Sequence, residues 1–391
     1  MSRAWSNWSG SQQYQVASVA EPADEAEIAV IVRKALEKNQ TLRAVGAAHS
    51  FNPFWTDDTI LSLERMKGMV NVDQASHTLT FKAGTRLFEI GAPAWQAGYS
   101  MINMGDIDRQ SLAGALSTGT HGTGVTLRNL SASITGLRLI NGLGEIVALD
   151  ADTDPDCLRA ARVSLGSLGV ITRVSLRVMP AYYLHEKTWI ASVAAVEAQL
   201  ASLIHENRHF EFFWDPQSDQ CAVKTLNIGQ ASVAQSLPDG ERAGRNYHLL
   251  PSERNQRFNE MEFSVPEASG WVCFMALRSM IKARFPDLRW PLEYRTLEAD
   301  DSWLSTASAR PSVTISVHEG ASRDYKPLFL AAEDIFRGFD GRPHWGKVHF
   351  HSGRDLARLY PQWEAFHAIR SQFDPEGVFL NNYLRELFGT S

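Results

Sequence analysis

At 391 residues the chain is longer than one ordinary hydrophobic core supports, so two domains are expected. Hydrophobic residues at 44%, charged residues at 21% and a formal net charge of −6 describe a globular protein without the basic footprint of a nucleic-acid or anionic-membrane binder. No apolar run approaches the roughly 20 residues of a spanning helix. The three cysteines, Cys157, Cys221 and Cys273, make no metal spacing or disulfide framework. With no apolar leader at the N-terminus, a reducing cytoplasmic setting is expected.

Ile28, Ile31, Val32 and Leu36 recur at helical spacing and predict a helix over 25–38, acidic at its start. A short strand, Thr41–Val45, runs into the small-residue loop Gly46-Ala-Ala-His49-Ser50. Strands follow at 60–63 and 77–82, then a helix over 87–97 ended by Gly98. A second small-residue loop, Ser117-Thr-Gly-Thr-His121-Gly-Thr-Gly124, lies some seventy residues after the first. Two such loops let backbone N–H groups approach a pyrophosphate, and a histidine on one of them can bond covalently to a flavin. Neither matches the Rossmann G-x-G-x-x-G pattern. A hairpin over 134–149, a helix over 152–163 and a strand over 170–178 lead to Pro180, the expected boundary.

Beyond Pro180, strands at 210–214, 312–317 and 347–350 and helices at 193–207 and 326–338 do not alternate strictly. An antiparallel sheet covered by helices is expected, hence an α+β fold. The polar stretch 230–259 reads as a long loop or lid. Glu293 and Arg295 are two residues apart, so on a strand they share a face, where an acceptor and a fork of donors suit a polyhydroxylated ligand.

The two loops, the hairpin and Arg162-Val-Ser-Leu-Gly-Ser-Leu-Gly-Val-Ile171 resemble the PCMH-type, two-subdomain FAD-binding domain of the vanillyl-alcohol-oxidase superfamily. Glu293-Tyr-Arg295 with Asp300-Asp-Ser-Trp-Leu304, Pro343-His-Trp-Gly-Lys347 and Phe373-Asp-Pro-Glu-Gly-Val-Phe-Leu-Asn-Asn-Tyr383 resemble its aldonolactone and sugar-alcohol oxidase branch. The resemblance implies an FAD domain over 1–178, a cap or substrate domain over 179–375 and a return to the FAD domain over 376–391. It also implies FAD bonded through His49.

Arg43, Val45, Gly46, Ala47, Ala48 and Ser50 would line one side of the FAD, and Ser111, Gly114, Ser117, Thr118, Thr120, His121 and Gly122 the other. Val170 and Ile171 would lie near its adenine or ribose, and His344 against the flavin. Gly105 stands where dehydrogenases of the family carry a methyl-bearing residue that hinders oxygen, so an oxidase releasing hydrogen peroxide is implied. A dehydrogenase with a quinone or cytochrome acceptor is the alternative. Glu293, Arg295 and Lys347 would act on a CH–OH carbon whose hydride passes to flavin N5, with His318 or water taking the proton. No metal site is implied. Asp106 replaces a serine, and Gly320 a threonine, of relatives active on sugar alcohols, so the substrate stays open between alditols and aldono-1,4-lactones.

Overall fold

The computed structural model describes residues 3–230, 237–252 and 256–389. Its first helix, Glu25–Glu37, starts where the Asp24 carboxylate accepts from the Glu27 amide, and it buries Ile28, Ala29, Val32 and Ala35. Two sheets share this part of the chain. Ser18–Ala20, Thr59–Ser62 and Leu42–Val45 form a small parallel sheet. Ile146–Asp150, Ile134–Ile140, Val170–Pro180, Thr78–Lys82 and Met69–Asp73 form an antiparallel one, with Tyr99–Met101 joined to Val170–Pro180. The pair is the two-subdomain arrangement expected. The helix expected over 87–97 is split at Ile90 into Leu87–Glu89 and Gly91–Gln96. Pro93 is tolerated because it falls in the first turn of the second piece.

The second sheet system has eight strands, all antiparallel. Their order is Glu241–Arg245, Tyr183–Ser192, Gln220–Gly229, His209–Asp215, Leu292–Leu297, Ser312–Gly320, Phe258–Pro266 and Arg342–Pro343. The period of two separates its faces. Cys221, Trp214, Leu292, Val317 and Met261 are register partners along one rung and belong to a buried apolar cluster. The helices Val193–His205, Gly270–Arg284 and Lys326–Arg337 cover that face with Val196, Phe274, Leu277, Phe329 and Phe336. Three residues along the strands, the rung Lys224, Glu211, Arg295, Thr314 and Ser264 is polar and lies on the opposite face. A helix-covered antiparallel sheet is thus the second half's plan, and the fold class is α+β as expected.

Two expectations fail. Residues 347–350 are not a strand: only Arg342 and Pro343 pair with Phe258–Pro266, after which the chain turns through Trp345 and Gly346. The supposed loop 230–259 contains the edge strand Glu241–Arg245, the helix Asn246–Leu249 and the start of Phe258–Pro266, while its residues 231–236 and 253–255 lie outside the described ones. Edge-strand hydrogen bonds to Tyr183–Ser192 hold a segment whose polarity alone reads as loop.

Leu356, Tyr360, Trp363, Phe366 and Phe373 pack in the first cluster with Leu42, Leu137 and Val170. The end of the chain is stitched to the start by Leu42 N–H to Val378 O (2.8 Å) and by Arg43 Nη1 to Phe379 O (2.7 Å). Among the described residues no helix is long and apolar enough to cross a membrane.

Candidate active site

The polar face of the eight-stranded sheet roofs a cleft whose floor is the two small-residue loops. The space in the cleft, counted together with the solvent it opens to, is about 1640 Å³.

Arg43, Val45, Gly46, Ala47, Ala48, His49 and Ser50 line it, as do Gly105, Asp106, Ser111, Gly114, Ser117, Thr118, Thr120, His121 and Ile171. Arg295, His344 and Lys347 line it from the cap side. Gly122, Val170, Glu293 and His318 do not. Gly122 is pressed on the Met104 carbonyl, which an added Cβ would meet at 2.1 Å, and Val170 is wholly buried in the first core. Glu293 and His318 sit just behind the wall: their donor atoms and that of Glu260 lie within 4.8 Å of one another, and Glu260 is on it.

The floor is shaped by backbone. Ala48 has a left-handed φ of 56°, and a Cβ on Gly46 would fall 2.0 Å from Ser111 Oγ, the N-cap of the helix Leu112–Ser117 that leads into the second loop, so glycine lets the first loop lie against that helix start. Four buried polar atoms of the lining have no partner among the described residues: the indole N–H of Trp5, that of Trp55, Gln110 Oε1 and Arg295 Nε. A polar ligand is what would satisfy them. Small loops, hydroxyls and unmet donors together fit a cofactor such as FAD.

Electrostatics dominate the roof. Glu262 is fully buried. It accepts from His121 Nε2 (2.8 Å), from Ser316 Oγ (2.8 Å) and from the Arg295 guanidinium. Burial alone would raise its pKa, but the charges of His121 and Arg295 outweigh that and hold it well below the carboxylate range. Glu293, 3.4 Å from Arg295, goes the other way: burial pushes it well above, with Asp106, Glu211 and Glu260 adding to the rise against the pull of Arg295. Arg295 itself is raised, its burial outweighed by Glu293 and Glu262.

Lys347 Nζ is paired with Glu260, whose other oxygen is 3.7 Å from His318 Nε2. His318 Nδ1 faces the Pro291 carbonyl at 2.8 Å. Burial lowers His344 to about 3, and burial with the charges of Lys347 and Arg86 lowers His49 to about 4. Both are neutral imidazoles at neutral pH.

The D-arabinono-1,4-lactone oxidase family model matches residues 174–236 and 228–387, and an FAD-binding-domain model matches residues 16–150. An L-gulono-1,4-lactone dehydrogenase of Mycobacterium tuberculosis is 34% identical, covering all of both chains. The chain belongs to the D-arabinono-1,4-lactone oxidase family. As a member of that family it is an FAD-dependent oxidoreductase, and the superfamily resemblance read from its loops and C-terminal motif holds. An alditol oxidase of a Streptomyces species is 28% identical over 99% of each chain. The crystal structure of a cholesterol oxidase from B. sterolicum superposes with a TM-score of 0.87 over 99% of this chain and 97% of that one, at 15% identity, which speaks to the fold alone.

Glu260 and Glu262 were not among the residues picked from the sequence; they fall just past the polar stretch 230–259, in a segment given no element of its own. The signal was present: Glu260-Met-Glu-Phe-Ser-Val265 alternates polar and apolar without a break. These two carboxylates supply the counter-charges for Lys347 and Arg295. His121, Glu262 and His344 form one trio of donors within 4.8 Å, and Glu260, Glu293 and His318 another. The positive charge a metal would bring to either is already brought by Arg295 and Lys347.

Proposed function

We propose that this chain oxidises a CH–OH carbon of an aldono-1,4-lactone or a related polyol, holds FAD through a bond to His49, and uses dioxygen as acceptor with release of hydrogen peroxide. Bound FAD supplies the hydride-accepting chemistry that no side chain offers. The observation that carries the reading is the pair of cations on the cleft wall, Arg295 and Lys347, each held by a buried carboxylate. Charges fixed before substrate arrives stabilise negative charge growing on a substrate oxygen without reorganising.

Lys347, engaged as a cation by Glu260, is a donor rather than a base. The hydroxyl proton goes to Glu260 and on to His318. With Nδ1–H donating to Pro291 O, the His318 Nε2 keeps its lone pair toward Glu260. Asp106, on the cleft wall, accepts from a substrate hydroxyl, while Glu293 stays behind the wall at 3.4 Å from the Arg295 guanidinium and helps to hold it in place.

His49 is favoured over His121 for attachment to FAD because both ring nitrogens of His121 are engaged, at 2.8 Å to Gly122 O and 2.8 Å to Glu262. Lactones are placed ahead of alditols. The matching family model and the 34%-identical relative are both named for lactones, whereas Gly320, at the position where relatives active on sugar alcohols carry threonine, lies outside the cleft lining.

The second reading, a dehydrogenase, has in its favour the activity for which the Mycobacterium tuberculosis relative is named. Gly105 on the cleft wall favours the oxidase. A panel of aldonolactones, alditols and free sugars, each assayed for peroxide and for dye reduction under air, tests both. Equal rates by the two assays on a lactone are expected; fast dye reduction with little peroxide would replace the oxidase by the dehydrogenase, and silence on every substrate would remove the function.

A further inference from the structure

Residues 3–15 lie outside both family models, which match from residue 16 and from residue 174. They are nonetheless part of the cleft. The strands Arg3–Ser6 and Gln13–Val16 pair antiparallel, and Trp5, Asn7, Trp8, Gln12 and Tyr14 line the cleft wall. Asn7 organises the intervening turn: its amide donates to Gln12 O (3.0 Å), and its side chain accepts from the Gln12 amide (3.0 Å). Gly10, at φ 82°, completes the reversal.

This turn docks on the loop that carries His49. Trp8 N–H donates to Ala48 O (2.7 Å) and Asn7 Nδ2 to Ser50 O (3.1 Å), so the residues on either side of His49 are both held by the turn. The Trp8 ring lies over the His49 ring, with centroids 5.7 Å apart and planes inclined by 24°. Its edge meets Phe258 of the cap sheet at 5.1 Å. Trp8 therefore bridges the FAD domain and the cap at the histidine. Behind it, Tyr14 stacks on Trp55 at 4.4 Å and 9°. Among the described residues the His49 ring nitrogens have no hydrogen-bond partner, so the ring's orientation rests on this stack and on the two clamped neighbours.

We propose that the turn at residues 7–12 is a strap over the flavin-attachment loop, and that Trp8 is a positioning residue that aims the His49 ring for bond formation with FAD. The proposal rests on the reading of His49 as the attachment residue. In the attachment step a C–N bond forms between a ring nitrogen and the 8α-methyl carbon of the flavin. One C–H and one N–H bond break, and the two protons and two electrons released pass to dioxygen, giving one hydrogen peroxide. A ring that must meet one carbon in one orientation gains rate from being held there, and a cover that excludes water keeps the attacking nitrogen unprotonated.

The experiment compares wild type, Trp8→Ala, Trp8→Phe and His49→Ala, each purified as the flavin-containing protein. The quantity read is the ratio of acid-stable to total bound flavin, independent of turnover. Wild type is expected near full attachment and His49→Ala near none. Trp8→Ala should fall at least fivefold in the ratio, and Trp8→Phe, which keeps a flat ring on the histidine, should recover most of it. An unchanged ratio in Trp8→Ala, whatever the total flavin bound, overturns the proposal. A wild type without acid-stable flavin removes the His49 reading itself, a different failure.

Discussion

The floor of the cleft and its roof are built from different materials. Residues 46–50 and 117–122 carry glycine, alanine, serine and threonine, with histidine as their one ionisable type. The roof brings Glu211, Glu260, Glu262 and Glu293 together around Arg295, Lys224 and Lys347. On the floor the binding surface is backbone, and side chains matter by being small enough to let it approach. On the roof the surface is charge, and each charge has meaning only through its partner: burial pushes both Glu262 and Glu293 upward, but His121 and Arg295 hold Glu262 low, while Asp106, Glu211 and Glu260 add to the rise at Glu293.

If the contrast is right, damage to the roof should alter chemistry with FAD retained. Lys347→Met is expected to cut turnover by about 10²–10³-fold with total bound flavin unchanged; steady-state kinetics beside flavin absorbance would show it, and unaltered turnover would take Lys347 out of the site. Glu262→Gln should come next. It keeps hydrogen bonds to His121 and Ser316 but strips Arg295 of its nearest counter-charge, and breaking such a buried pair costs on the order of 3–5 kcal/mol. A denaturation midpoint equal to that of wild type would mean the roof network is not a buried ion pair in solution.

Acid should then weaken the whole molecule through its buried neutral histidines. His209, His344 and His349 are lowered by burial from 6.5 to about 3, 3 and 4. Their folded pKa values lie below the unfolded one, so their contribution is complete above pH 6.5 and is lost as pH falls from there through 4, the unfolded chain binding protons the folded one refuses. The slope is up to about 1.4 kcal/mol per histidine per pH unit. Urea midpoints at pH 7 and pH 5 measure it; equal midpoints would contradict the neutral assignments.

The smallest effect tests the floor. At Gly105 an added Cβ would meet Thr120 Cγ2 at 3.3 Å and His121 O at 3.4 Å, which neighbours absorb with a slight shift. Gly105→Ala should keep FAD and dye reduction while slowing peroxide formation by about tenfold, an activation difference of roughly 1.4 kcal/mol. Equal slowing in both assays would mean the methyl disturbs substrate rather than oxygen.

Much of this was legible before any coordinates. The helix expected over 25–38 ends one residue earlier, at Glu37, because its apolar repeat and Asp24 cap are local signals. Glu293 and Arg295 share a face as their spacing requires. The strand expected at 347–350 is absent because the turn through Trp345 and Gly346 breaks the ladder that Arg342 and Pro343 begin, leaving Val348 N–H with a single bond to Glu260 O at 2.9 Å. Continuous pairing is a property of the path the chain takes beside its neighbour, which a run of apolar and polar residues does not record.

The chain by itself determined the family, the two small-residue loops with their histidines, the α+β plan, and the cation positions 295 and 347. These are written in residue types whose local geometry leaves few alternatives: glycine where backbones must close, period two where a sheet has one wet face. Only the tertiary structure decided which carboxylates answer those cations, why Gly46 must lie against Ser111, and that a turn at the chain's beginning covers His49. Those contacts join residues 8 and 49, 46 and 111, 260 and 347, and electrostatic strength depends on distance and burial that no stretch of sequence contains.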